Sequence, residues 1–209
     1  MKKIVTLISL MMIAFTANVF AQVNLESVCS MLSKHPNTTG NFNQEKTLKN
    51  SSRTLKSNGS FIFSMDGIMW KTEKPFPSTL TITKNSMIQI SASGKKSVTD
   101  VSKNEVFKSV SSTLISVFSN DTEVLKKNFN VDFKDEGQGN WKIVLIPRDA
   151  TVAVMVSSID LSGVTKNSNC DLMSIVMNEK SGEKITYTFS NQKYPKELSA
   201  DEKANFIVK

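Results

Sequence analysis

The chain has 209 residues, 39% of them hydrophobic, a formal net charge of +7, one histidine and two cysteines. One histidine and two distant cysteines do not make a zinc site, so no metal and no cofactor is expected. Beyond Lys2-Lys3 the lysines pair only at Lys95-Lys96 and Lys126-Lys127 and do not interleave with aromatic residues, so no nucleic-acid partner is expected either.

The first residues read MKKIVTLISLMMIAFTANVFA. Two lysines precede an apolar run, Ile4 to Phe15, that is too short to span a bilayer as a helix. Val19 and Ala21 place small residues at cleavage spacing. Residues 1–21 therefore read as a secretory signal peptide cut after Ala21, with an uncleaved membrane anchor as the alternative. Cys29 lies too far beyond the run to be a lipidated N-terminal cysteine. Residues 22–209, with the two leading lysines removed, carry +5 and read as one exported domain, expected to be a monomer. In an oxidising compartment Cys29 and Cys170 can pair. That bond would close a loop of about 140 residues, worth roughly 5 kcal/mol at most. The other reading is two buried free thiols.

Asn24 is a good N-cap, and Leu25, Val28, Cys29 and Leu32 follow at helical spacing until Pro36. Strand patterns then take over. Leu55 to Ser64 and Ile68 to Thr72 flank Asp66-Gly67, a strong hairpin turn. Lys74-Pro-Phe-Pro-Ser makes a corner, because proline cannot donate to a ladder. STLTITK and SMIQIS form a second hairpin, and a short strand follows near Ser97 to Val101.

Residues 103–118 break the pattern. Val106, Phe107, Val110, Leu114, Val117 and Phe118 recur at threes and fours, so a helix is expected, weak because of its serines. Asp121 to Lys127 adds a helical turn. Strands resume with FNVDFKDE, WKIVLIP, TVAVMVSSIDL, CDLMSIVMNE and EKITYTFSN, and the tail after Pro195 is polar. The absence of a βαβ rhythm excludes a doubly wound fold. About ten antiparallel strands with two inserted helices predict a mostly β, α+β domain whose single sheet must curl.

No catalytic constellation stands out, and the chain is not expected to be an enzyme. His35 sits at a helix end with no nucleophile motif near it. Gly137-Gln-Gly lacks the strand-to-helix setting of a phosphate cradle, and no paired carboxylates suited to hydrolysis are evident. Twelve phenylalanines and ten methionines fit either an adaptable apolar lining or an ordinary core.

GNFNQEK followed by SNGSFIFSMDGIMWKTEKPFPSTLTI resembles the LolA-like family of periplasmic outer-membrane lipoprotein carriers. The resemblance rests on Gly40, Phe42 and Gln44, then Gly59 and Phe61, then Trp70 and Pro75, and later on Leu145 and Pro147 in WKIVLIPRD. It runs from about Leu25 to Ser190. It implies an incompletely closed antiparallel half-barrel covered by helices. It also implies carriage of lipoproteins, or of another acylated lipid, from an inner-membrane release complex to an outer-membrane receptor. A palmitoyl chain left in water costs on the order of 12 kcal/mol, at ~0.8 kcal/mol for each buried carbon, so such cargo needs an apolar hollow. Parity along the strands assigns Phe42, Phe61, Phe63, Ile68, Trp70, Leu80, Ile82, Ile88, Ile90, Ile143 and Leu145 to that hollow. Leu25, Val28, Leu32, Phe107 and Leu114 would cover it from the helices. Family carriers place an arginine just before a proline in the turn leading to the Trp strand; here the turn is Ser64-Met65-Asp66-Gly67. This departure keeps other cargo open, such as a polyene or a glycolipid, and so does a non-transporting interaction or sensor module on the same fold.

Overall fold

The computed structural model describes residues 23–51, 53–100, 113, 115–166 and 169–207. The leader and most of the expected 103–118 helix, including Phe107 and Leu114, lie outside the described residues. Helix α1 (Leu25–Leu32) starts where its cap predicts. Asn24 accepts from the Ser27 N–H at 2.8 Å, and Ser27 Oγ accepts from the Asn24 N–H at 3.0 Å. These two bonds satisfy donors that a helix start leaves free.

Six strands follow: β1 (Asn37–Thr47), β2 (Thr54–Ser64), β3 (Gly67–Lys74), β4 (Ser78–Ile82), β5 (Ser86–Ile90) and β6 (Lys96–Asp100). Residues 115–118 are helical. Helix α2 (Thr122–Asn128) is capped by Asp121 and leads into β7 (Phe129–Gly137) and β8 (Asn140–Pro147). The run TVAVMVSSIDL, expected as one strand, splits. Asp149 caps a one-turn helix, α3 (Ala150–Ala153), and β9 (Val156–Lys166) begins after it. Strands β10 (Asn169–Glu179) and β11 (Lys184–Lys193) complete the sheet, and α4 (Ala200–Ala204) follows in the tail.

The eleven strands form one antiparallel sheet in the order β6-β5-β4-β3-β2-β1-β11-β10-β9-β8-β7. Two meanders are thus joined where β1 pairs with β11, and β6 and β7 are its free edges. The sheet does not close. It wraps one core: Phe61 and Ile68 from one meander share an apolar cluster with Phe129 and Leu145 from the other, bridged by α1, Val117 and Leu125. Five register shifts interrupt the ladders, at Thr39/Asn41, Asn58/Gly59, Leu172/Ser174, Asp135/Gly137 and Asn178/Glu179. Such bulges bend and twist a sheet.

The face turned towards the helices is here called the inner face. On the outer face the two meanders differ. Across β8–β10 it is polar: Lys142 bridges Asp160 at 3.1 Å, and Ser158 donates to Asp160 and accepts from Asn178, both at 2.8 Å. Across β2 and β3 it is apolar, and Ile62 and Met69 pack under Leu198 and Phe206 of the C-terminal segment.

Candidate functional site: the inner face of the sheet

Ladder register decides which side chains share the inner face, because residues directly opposite one another project to the same side. Phe61 faces Trp70, which faces Leu80; Phe63 faces Ile68, which faces Ile82. Phe42 faces Phe189 across β11, while Ile143 and Leu145 face Leu161 and Ile159 across β9. With Leu25, Val28 and Leu32 of α1, these place twelve of the sequence-assigned residues on or over the inner face.

Ile88 and Ile90 are corrections. Ile88 faces Thr81, which faces Met69, which faces Ile62. That row lies on the outer face, and Met87 and Gln89 point inward instead. The outer face is itself sheltered in this meander: Ile88 is buried on it, in the same row as Ile62 and Met69, which pack under Leu198 and Phe206. A strand with both faces sheltered does not reveal its inner side by hydrophobicity.

Two glycines make room for large rings. Gly40 lies opposite Phe61, and a Cβ there would stand 2.8 Å from both the Phe61 ring and the Ser190 carbonyl oxygen. Gly163 lies opposite Trp141, and a Cβ there would enter the indole. The same device thus sits once in each meander.

Around β11, β1, β2 and β3 the rings form a connected wall. Ring centroids lie 4.6 Å apart for Phe61–Phe63, 4.9 Å for Phe61–Phe189 and 6.0 Å for both Phe63–Trp70 and Trp70–Tyr187. Phe118, from the helical residues over the sheet, closes on Phe63 at 4.6 Å. Burial pushes the Tyr187 phenol up to about 12. The Trp70 indole N–H is buried and has no hydrogen-bond partner. Strand parity leaves out Phe189, Tyr187, Trp141, Leu161 and Phe118, although the alternation of Tyr187 and Phe189 in β11 and the helical spacing of Phe118 are visible in the sequence.

Among the described residues, a small cavity of about 20 Å³ lies beside the wall, bordered by His35, Phe63, Ile115 and Phe118, room for about one water. A larger hollow of about 890 Å³ lies on the outer face under α4. Its walls mix Lys71, Lys193, Asp201 and Glu202 with Ile62 and Met69, which suits polar groups better than an acyl chain.

Cys29 and Cys170 are buried free thiols in the one core, in place of the expected bond. There they pack as small apolar side chains. Burial pushes Cys29 up to about 12, with Glu26 and Cys170 adding to it. Burial pushes Cys170 up to about 11, against the Thr165 hydroxyl and the Trp141 indole N–H. His35 stacks on Tyr194 with centroids 4.0 Å apart, and the Tyr194 hydroxyl donates to Asp171. Among the described residues no group of three or more His, Cys, Asp or Glu is placed to hold a metal, and no helix is long and apolar enough to cross a membrane.

The family model described as "Outer membrane lipoprotein carrier protein LolA" matches residues 33–202. The chain belongs to the LolA family. No curated protein matches it. Among solved structures it is similar to a LolA superfamily protein from Nitrosomonas europaea, at 10% identity and a TM-score of 0.45, over 85% of this chain and 94% of that one. A putative outer membrane lipoprotein-sorting protein domain from Vibrio parahaemolyticus gives 9% and 0.48, over 88% and 99%. A DUF1329 family protein from Desulfovibrio piger gives 10% and 0.48, over 84% and 92%. The likeness is too loose to transfer residue roles.

As a LolA-family chain, it has motif residues with a physical reading. Gly40, Phe42 and Gln44 share the inward row of β1, Gly40 yielding space to Phe61. Gly59 faces Phe42 at a bulge, where a Cβ would collide with the Lys71 carbonyl. In the β2–β3 turn, where family carriers hold an arginine, the Asp66 N–H donates to Ser64 Oγ at 3.1 Å and Met65 is exposed.

Proposed function

We propose that this chain is a periplasmic carrier that shelters the acyl chains of a lipoprotein against the inner face of its sheet. It takes them from an inner-membrane release complex and gives them up to an outer-membrane receptor. The observation that carries the reading is the aromatic wall of Phe61, Phe63, Trp70, Tyr187 and Phe189, met from above by Phe118 and incompletely covered at Trp70 and Tyr187. A non-transporting module needs a core, but it does not need a broad apolar wall with partly exposed rings at its rim.

The energetics suit exchange. Val117 and Phe118 now occupy the space an acyl chain would take. A chain that displaces them replaces one set of apolar contacts with another at about 25 cal/mol per Å². Loading and release then stay nearly balanced, as a carrier requires. The buried Trp70 N–H, which has no hydrogen-bond partner, gains an acceptor if an ester or amide carbonyl of the cargo lies beside it. The β2–β3 turn without its arginine supports a second cargo class, another exported acyl lipid held on the same wall.

The test is displacement of a fluorescent fatty-acyl probe by a triacylated peptide. Wild type is expected to bind the probe and release it to the peptide. Trp70→Glu is expected to lose probe binding while keeping its far-ultraviolet spectrum and cooperative unfolding. Undiminished binding by Trp70→Glu would move the cargo away from this wall.

A further inference from the structure

One end of the sheet differs from the other. Thr47 pairs with both Thr54 and Lys184, Asn58 with Lys74, Ile90 with Lys96, and Val156 with Glu179. The connections that follow β1, β3, β5, β8 and β10 therefore emerge along one edge. Four of the large exposed hydrophobic residues stand on it: Leu55, Phe76, Val154 and Met155. Phe76 is the extreme case, 79% exposed between Pro75 and Pro77 at the β3–β4 corner. A phenylalanine held out in water by a corner that cannot pair onward has no role in the core.

Exposed cations surround these residues: Lys49, Arg53, Lys74, Lys95, Lys96 and Lys180. Most acids of this edge are already engaged. Glu45 bridges Lys56 at 2.7 Å, Glu183 and Glu179 bridge Lys46 at 2.6 and 3.9 Å, and the Asp149 carboxylate caps α3. The opposite end also exposes an apolar residue, Met65, but its charges are mixed: Asp66, Lys84 and Lys203 lie beside it, and Asp135, Glu136 and Glu197 on neighbouring connections offset Lys34, Lys134 and Lys196. Only the first edge combines a protruding aromatic with an excess of positive charge.

The inner face is least covered towards that same edge. Leu55 lies in one row with Lys46 and Ile185, and Ile185, Tyr187 and Met177 all keep partial exposure.

We propose that this basic edge docks the protein on an anionic lipid surface, with Phe76 inserted among the headgroups. Lysines near such a surface each add attraction, and an exposed aromatic gains by leaving water at the interface. The docked pose turns the uncovered end of the aromatic wall towards the bilayer, giving an acyl chain a short path out of water. That purpose rests on the carrier reading, whereas the docking does not.

The experiment is flotation of the protein with phosphatidylcholine vesicles, with and without phosphatidylglycerol, at low and high salt. Wild type is expected to float with phosphatidylglycerol vesicles at low salt and to be released by high salt. Phe76→Glu is expected to abolish flotation while leaving acyl-probe binding in solution unchanged. Lys74→Gln and Lys95→Gln are each expected to weaken it roughly fivefold. Phe76→Ser, which adds no charge, separates insertion from repulsion and is expected to weaken flotation as well. Absence of flotation at low salt would overturn the proposal. So would flotation that both Phe76 variants leave intact, which would mean charge attraction without insertion. Loss of probe binding in wild type would instead strike the carrier reading.

Discussion

On the inner face of the β7–β11 meander, Trp141, Ile143, Leu145 and Leu161 are fully buried, whereas Trp70 and Leu80, on the same face of the β1–β6 meander, are only partly covered. The difference lies in what packs on each. The first meander has α1 against β10, α2 against β7 and α3 against β8 and β9. The second receives Phe118 on Phe63 and little else among the described residues. The two halves share one core, divided by how completely its rim is covered. A protein that must both stay folded and take in an apolar guest needs that division, because water cannot replace lost core contacts but an acyl chain can.

The largest expected effect falls on the finished half. Trp141→Ala removes a ring with no exposed surface and is expected to cost about 3–5 kcal/mol of stability in urea unfolding. Gly163→Ala pushes a methyl group into the same ring and should cost about 1–3 kcal/mol. On the open half, Trp70→Glu is expected to cost less stability than Trp141→Ala, because Trp70 is only partly covered, while removing acyl binding. If Trp70→Glu proved as destabilising as Trp141→Ala, the two positions would be equally part of the core and the comparison would fail.

The thiols supply a smaller test. Unfolded, they ionise near 9.0; folded, Cys170 and Cys29 hold their protons to about 11 and about 12. The unfolded chain therefore sheds these protons first. Stability is full below about pH 9 and falls as pH rises towards about 11 to 12. Urea midpoints measured across that range should decline, and Cys170→Ala should flatten the decline. Native protein at neutral pH should resist alkylation at both thiols, and denatured protein should take two labels without reductant. No labelling after denaturation would mean that the bond between Cys29 and Cys170 had formed.

Much of this was legible in the sequence. Period-two alternation gave the hairpins of β2 with β3 and of β10 with β11, and the Asn24 cap gave α1. Three features were not. The β-branched run Thr151 to Val156 reads as strand, yet Asp149 caps a turn of helix inside it. The polar tail hides α4, although Ser199 and Glu202 form the capping box that marks its start. Parity misleads on β5, where Ile88 is buried although its row is the outer one, shared with Ile62 and Met69 under a tail that looks like solvent-exposed chain. In each case long-range cover, or a single cap, outweighed local pattern.

The central claim is that the inner wall exchanges its own cover for an acyl chain. Native mass spectrometry of the protein purified without residues 1–21, with solvent extraction of what accompanies it, tests this most directly. The account predicts an acylated species bound at near one per chain, or captured at that ratio when a triacylated peptide is added. A bare chain that stays bare after the addition would contradict it.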